Sequence, residues 1–441
     1  GPADLDPERL TEFLAQAVIF GPATAVKGVN RLIGSEVLVG QTDDTGGPYW
    51  HVTPKHLDEI QSEDPEIVIG VFEDLAVSLG GRKVAVDVTG GFDSRLIACL
   101  FAESGLPFEV GVTGRDMDAP DIVISEQVAG LLGRESYPLL HDTSRLETEI
   151  EEVFRATDGQ LEMRTIHRDW QNAVARLGRN IEVIAHGGAG GVLKDFAFSH
   201  EFPWYGSTRF DPARYYDLRV VPTSIPREHL SERAAGWIAS TRQRMIARFQ
   251  QYRCPTNNES FDRIAYFVRN PESYGGYFST YLNMGLDVVI PFADSDIAAV
   301  GRRMPPWSRF MNRWHRRTLT AHCPAAAALI TTDGFNASTE ARYFLPNLWG
   351  WSRNAARRVL RKVSQRVLGR EMFALKGNVT ANAPDYMSRL RASATFKTAV
   401  ARLRSEGILA DNLTEEMVRN SEVPRILTLG LFLAHADRCA R

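Results

Sequence analysis

The spacing of apolar positions changes period several times along the chain. Leu10, Phe13, Leu14, Ala17 and Val18 recur at helical intervals and predict a helix over residues 7–20. Glu36 to Val39 reads as a strand ahead of a Gly/Asp-rich loop at 40–48, and residues 65–80 return to the helical period. Lys83 to Val88 is a β-branched run that predicts a strand, and a helical run from Asp93 to Glu103 follows two glycines. Phe108 to Thr113 predicts a second strand and about 121–132 a helix. Trp170 to Leu177 predicts another helix, and Ile181 to Ala185 a strand that runs into glycines. Strands alternating with helices at this spacing imply a parallel sheet with right-handed crossovers. Ligands of such sheets bind beyond the carboxyl ends of the strands, where both glycine clusters fall. From about Ser224 the pattern is mostly helical. The chain therefore divides into an N-terminal cap at 1–75, an α/β core at 76–200 and a mostly helical region at 201–441.

Composition narrows the picture. With 441 residues, 44% hydrophobic and 24% charged, the chain can bury a sizeable core in more than one packed unit. A net charge of -3 argues against a general nucleic-acid binder. Only seven of the 51 basic residues are lysines, so each one is easy to inspect. Cys99, Cys254, Cys323 and Cys439 form no CxxC pair, and no disulfide framework is expected. No basic segment leading into an apolar run opens the sequence, and no apolar stretch approaches the ~20 residues of a membrane span. The expectation is a soluble, cytoplasmic protein. Residues 350–370 carry seven Arg/Lys and no acid. They predict a helix with a packed apolar face and solvated arginines, with contact to an acidic surface as the alternative.

The segment VAVDVTGGFDSRLIACLF, Val84 to Phe101, carries the clearest chemistry. Adjacent glycines let backbone amides approach an anion, and the helix opening at Asp93 and Ser94 presents unpaired amides and the positive end of its dipole. That is a seat for phosphate or pyrophosphate. Thr89 and Ser94 add hydroxyls, and Asp93 suits Mg²⁺ held between carboxylate and phosphates. Neither GxxxxGK[ST] nor GxGxxG occurs here.

These residues resemble the SGGxDS pyrophosphate loop of N-type ATP pyrophosphatases, in particular the synthetase domain of class B asparagine synthetases. Thr89 stands in the place of the first Ser. The likeness continues through Phe108 to Gly114 with Asp121, through Val183 to Gly191, and through Met284 to Asp294, which is similar to the family's M-x-x-E-x-R-x-P-F-L-D stretch. Residues 7–50, with Gly28, Leu32, Gly34 and Tyr49-Trp50, are similar to the lead-in to that domain. The resemblance implies a Rossmann-like PP-loop fold and an ATP-dependent, AMP-forming amide ligase. Such an enzyme activates a small-molecule or peptide carboxylate as an acyl-adenylate for attack by an amine. By position, Val88 and Val112 would line the adenine, and Thr89, Gly90, Gly91 and Ser94 would hold the phosphates. Asp93 would bind Mg²⁺, and His186 and Gly187 would face the nucleotide.

Four departures qualify this expectation. Nothing of the family's N-terminal glutaminase occurs in this sequence. The expectation is therefore an amine supplied directly, one made by a separate partner protein, or none, or else a sequence that is part of a longer chain. β-lactam synthetases and lasso-peptide cyclases, relatives without a working glutaminase, make intramolecular amides or use a supplied amine. The G-x-G-x-D-E loop reads Gly187-Gly-Ala-Gly-Gly191-Val192, which leaves no second metal carboxylate at Gly191; Asp195 is one turn away. Asp287 and Val289 replace a Glu and an Arg. The catalytic lysine expected near Gly334-Phe335 is absent, with Lys376, Lys194 and Arg342 as candidate cations. These losses keep open an alternative, a non-catalytic nucleotide-binding or scaffold subunit.

Single residues leave further choices. Arg95 could grip an anion as a catalytic group or reach solvent. His186 could touch a ligand or be structural. Tyr266, Arg269 and Tyr274 could line a substrate pocket or belong to the core. Asp294 reads as a helix cap. His200, His315 and His322 lack metal-ligand spacing.

Overall fold

The computed structural model describes residues 4–33, 36–42, 47–54, 64–194, 207–221, 225–368 and 384–439. Its centre is a five-stranded parallel sheet in the order β5-β4-β3-β6-β7. The strands are β3 (Val84–Asp87), β4 (Phe108–Gly114), β5 (Ser136–Leu140), β6 (Val183–Ala185) and β7 (Asp287–Val289); β1 (Glu36–Thr42) and β2 (Pro48–Pro54) form a separate antiparallel pair. Val84 faces Phe108 on one side and Val183 on the other, so β3 is central. The chain moves outward from β3 through β4 to β5, then returns to place β6 and β7 on the opposite side. This reversal makes a topological switch point between β3 and β6, the place where open α/β sheets hold ligands.

Helix α1 (Pro7–Gln16) starts on the Asp6 carboxylate, which accepts from the Glu8 and Arg9 amides at 3.0 and 3.4 Å, and Pro7 fixes its first turn. It ends four residues short of the expected limit at residue 20, at Ala17, whose φ of +61° breaks the helix. α2 (Glu66–Ser78), α3 (Asp93–Glu103) and α4 (Pro120–Leu132) pack around the sheet, and α4 stops at left-handed Gly133. Val84, Val86, Leu96, Ile97, Phe101 and Phe72 are fully buried in this layer. Burying each such side chain is worth about 1.5–3 kcal/mol.

A second apolar core gathers α1, α5 (Leu146–Thr157), α6 (Met163–Gly178) and α7 (Glu232–Gln250) with helices near the C-terminus. The N-terminal cap and the helical region thus share one core. The sheet also takes β7 from the helical region, a strand that its three residues were too short to announce. Beyond these lie α8 (Asn257–Ile264), α9 (Asn270–Asn283), α10 (Ser295–Arg303), α11 (Arg313–His322) and the basic α12 (Phe344–Leu368). At the start of α12, ahead of the basic stretch, Phe344, Leu345, Leu348 and Trp349 are exposed. Among the described residues no helix is long and apolar enough to cross a membrane.

Candidate functional site

The loop from β3 to α3 and the loop after β6 meet at the switch point. Contact is too close for side chains at two positions. A Cβ on Gly187 would lie 3.0 Å from the Ser94 amide nitrogen, and one on Gly190 would lie 2.4 Å from Asp93 Cγ. Ala189, at the second glycine position of G-x-G-x-D-E, holds φ at +62°, a conformation that costs an L-residue energy and that glycine adopts freely.

Within the first loop the polar groups already have partners. Ser94 Oγ accepts the Thr89 amide at 2.9 Å and lies 3.2 Å from Thr89 Oγ1. The Gly91 amide donates weakly to Thr89 Oγ1 at 3.4 Å. The Gly90 amide donates to Asp121 Oδ1 at 2.7 Å, and the Gly90 carbonyl accepts from Thr332 at 3.2 Å. A phosphate seated here would take over the Gly90 donor from Asp121, at the first turn of α4.

Asp93 is the electrostatic centre. Lys194 Nζ lies 2.6 Å from its Oδ2, and His315 Nε2, fully buried on α11, lies 2.8 Å from its Oδ1. Burial favours the protonated acid, but the Lys194 ammonium and the His315 contact outweigh it and hold the carboxyl at about 2. Burial pushes His315 below the ordinary histidine range against the pull of Asp93.

Beside Asp93 opens a cavity of about 420 Å³, walled by the Gly187 to Val192 loop, Lys194, Arg219, Asp262, Tyr266, Arg269, Arg302 and Arg309. Five cations thus face two carboxylates, which suits a polyanion. Arg309 is almost fully buried and ion-pairs Asp262 at 2.9 Å. Tyr266 and Arg269 lie on a π-helical turn, Ala265–Arg269. Burial raises the Tyr266 phenol to about 12, so it is a neutral hydrogen-bonding group at physiological pH. Both residues line the cavity.

Other expected site residues are placed elsewhere. Arg95 neither grips an anion nor reaches solvent. Its guanidinium is fully buried, and donates to the carbonyls of Ala326 at 3.0 Å, Leu329 at 2.8 Å and Ile330 at 3.3 Å. Burial lowers it to about 10, so it stays charged at neutral pH, and it ties α3 to the chain that ends in Thr332. His186 uses Nδ1 to accept the Gly188 amide at 3.0 Å and packs edge-on against Phe278. Val88 and Val112 are buried, and neither lines the cavity. Arg342 is exposed and pairs with Glu340 at 2.8 Å. Asp294 caps α10, accepting from Asp296 at 2.8 Å. Lys376, Asp195 and His200 lie outside the described residues, as does the side chain of Tyr274.

The metal expectation meets an obstacle. Asp93 Oδ2 is paired with the Lys194 ammonium and Oδ1 lies against the buried His315 ring, Gly191 offers no carboxylate, and Asp262 is committed to Arg309. Among the described residues no three His, Cys, Asp or Glu side chains converge as ligands. These residues do not fit a Mg²⁺ ion held by the protein; positive charge at the loop comes instead from Lys194. Five members of the site had gone unassigned in the sequence. Arg219, Asp262, Arg302, Arg309 and His315 come from segments outside the glycine loops, and no local motif marks them. The lysine scarcity was the one usable signal; it singled out Lys376 and Lys194, of which Lys194 stands in this site and Lys376 lies outside the described residues. No family model matches the chain, and no curated protein matches it.

Proposed function

We propose that the chain is an ATP-dependent, AMP-forming amide ligase built on a PP-loop nucleotide fold. The observation that carries this reading is the meeting of two glycine loops, Thr89 to Ser94 and Gly187 to Gly191, at the switch point beside a cationic cavity. In this reading ATP lies across the strand ends, with its phosphates toward the Gly90, Gly91 and Ser94 amides. A substrate carboxylate in the cavity attacks the α-phosphorus, the bond to the bridging oxygen breaks, and pyrophosphate leaves. An amine then adds to the acyl carbon, AMP departs with its oxygen, and the amine loses a proton. Lys194 and Arg309 stabilise the negative charge that develops on the phosphates, electrostatic work worth a few kcal/mol of barrier for each well-placed donor.

One observation favours a second reading, a nucleotide-binding subunit without turnover. The Asp93 carboxylate is paired with the Lys194 ammonium and contacted by His315, where the ligase expectation put a metal ligand. Titrating ATP with and without Mg²⁺ into the wild type, Asp93→Ala and Lys194→Met separates the two. The ligase reading expects binding plus release of AMP and pyrophosphate with some carboxylate–amine pair. Binding with no AMP across a broad panel favours the second reading, and no nucleotide binding at all overturns both.

A further inference from the structure

The basic helix α12 is docked on the body along one side. Asn347 is buried and donates to Asn336 Oδ1 at 2.9 Å and to the Ser338 carbonyl at 3.1 Å, and its Oδ1 accepts the Asn336 amide at 3.0 Å. Gly350 lies so close to Phe335 that a Cβ on it would sit 3.0 Å from the Phe335 Cβ. Trp351 meets Phe310 edge-on with ring centroids 5.3 Å apart, and Asn354 donates to the Asp333 carbonyl at 2.9 Å. Positions 347, 350, 351 and 354 share one helix face, which is therefore the docked one.

The opposite side opens with large apolar groups in water. Leu345 and Trp349 are each 72% exposed, and Phe344 and Leu348 beside them are exposed as well. Leu360, also exposed, falls three turns beyond Trp349 on the same side. A single exposed apolar residue is ordinary, whereas four on adjoining turns make a patch, and such patches mark contact surfaces. The same helix carries six Arg/Lys and no Asp or Glu from end to end. By position these cations form two rows at four-residue spacing. Arg353, Arg357 and Arg361 run along one flank of the apolar face, and Arg358, Lys362 and Arg366 along the other.

We infer that the outer face of α12 binds an anionic lipid bilayer, with Leu345, Trp349 and their neighbours set among the acyl chains and the two cationic rows against lipid phosphates. A helix that is basic on one side and bears Trp, Phe and Leu on the other lies in the plane of the membrane interface, and aromatic rings favour that depth. Charge and shape choose this occupant over others. A second copy of the chain laid on this face would bring six cations against six more with no acid on either helix. A nucleic acid would answer the cations and leave Leu345 and Leu348 unanswered. The four exposed groups spread over about 140° of the circumference at 100° per residue, wider than the narrow seam by which two helices pair. An anionic bilayer answers the charge, the apolar groups and the breadth together. The docked face holds Asp333, the residue after Thr332, whose amide donates to the Gly90 carbonyl. Bilayer contact thus falls on the side of α12 away from the glycine loops, and the inference does not depend on what those loops bind.

Flotation of the full chain with vesicles tests the surface, using phosphatidylcholine alone and phosphatidylcholine with about 30% phosphatidylglycerol. The expected result is capture by the anionic vesicles at least about tenfold stronger than by the neutral ones, and release as NaCl rises toward ~0.5 M. Leu345→Ser combined with Trp349→Ser should weaken capture about tenfold or more. Arg353→Gln combined with Arg357→Gln should weaken it by a similar factor, about tenfold. All four side chains are exposed, so the thermal midpoints should stay at the wild-type value. Arg227→Gln, on an exposed residue far from α12 in the chain, should stay within about twofold of wild type. Should the apolar double variant not fold, Trp349→Ser alone takes its place. No capture by anionic vesicles overturns the proposal. Capture that survives the apolar substitutions also overturns it, as does capture that Arg227→Gln weakens equally. Dimerisation abolished by Trp349→Ser in the absence of vesicle capture would give the face to a second copy, and capture of single-stranded RNA without vesicle capture would give it to nucleic acid; either result overturns the bilayer.

Discussion

Lys194 Nζ and Asp93 Oδ2 lie 2.6 Å apart, joining the loop after β6 to the first residue of α3 across the switch point. The glycine loops are therefore locked together by a charge pair as well as by backbone contact. Both side chains are about four-fifths buried, so water screens the pair only partly.

Lys194→Met should cost about 1–3 kcal/mol of stability, because it leaves a buried carboxylate with His315 alone. The sign of the pH effect follows from the depressed Asp93 carboxyl. Its contribution is present above the ordinary Asp range and is lost only as pH falls toward about 2. Without Lys194 that loss begins at higher pH. Urea unfolding of wild type and variant across the acid range measures both effects.

Gly90→Ala places a Cβ 2.3 Å from Thr332 Cγ2 and 3.0 Å from Asp121 Oδ1. We expect a loss of about 1–3 kcal/mol from overpacking and a disturbed loop. Thr332→Ser removes the offending methyl and keeps the backbone bond to Gly90. It should therefore restore part of the loss, which a double-mutant cycle by chemical denaturation would quantify.

Arg95→Met should destabilise the fold by about 2–4 kcal/mol, since three carbonyls lose a charged donor. Arg95→Lys should recover little, because one ammonium cannot reproduce the fork. Nucleotide binding, measured at a temperature where both variants remain folded, should change far less than in Asp93→Ala.

A histidine pair away from the site sets a further pH response. His141 Nε2 lies 3.0 Å from His167 Nδ1, and His167 Nε2 lies 3.0 Å from Glu149 Oε2. Burial, and then His167, hold His141 at about 4 against its ordinary 6.5. The unfolded chain takes up that proton first, so stability should fall as pH drops from about 6.5 toward 4. His141→Gln should flatten this slope in thermal unfolding curves recorded over the same window.

Much of the α/β core was legible because its signals are local. β3, α3, β4 and α4 begin and end within a residue or two of their expected limits, since β-branched runs, Pro120 and Gly133 act on the backbone where they stand. β5 and β7 were not anticipated. Their residues, Ser136 to Leu140 and Asp287 to Val289, extend because a neighbouring strand edge supplies hydrogen bonds, which no five- or three-residue window can reveal.

The amino-acid order by itself determined where the chain turns sharply and where backbone amides are bare, and so it located both glycine loops. Those properties depend on φ, ψ and the first turn of a helix. The pairing of Asp93 with Lys194 and His315 and the withdrawal of Arg95 into a cage of carbonyls were decided only in three dimensions. A charged side chain takes its role from whichever opposite charge or carbonyl packing brings within about 3 Å, and that neighbour came from up to 235 positions away.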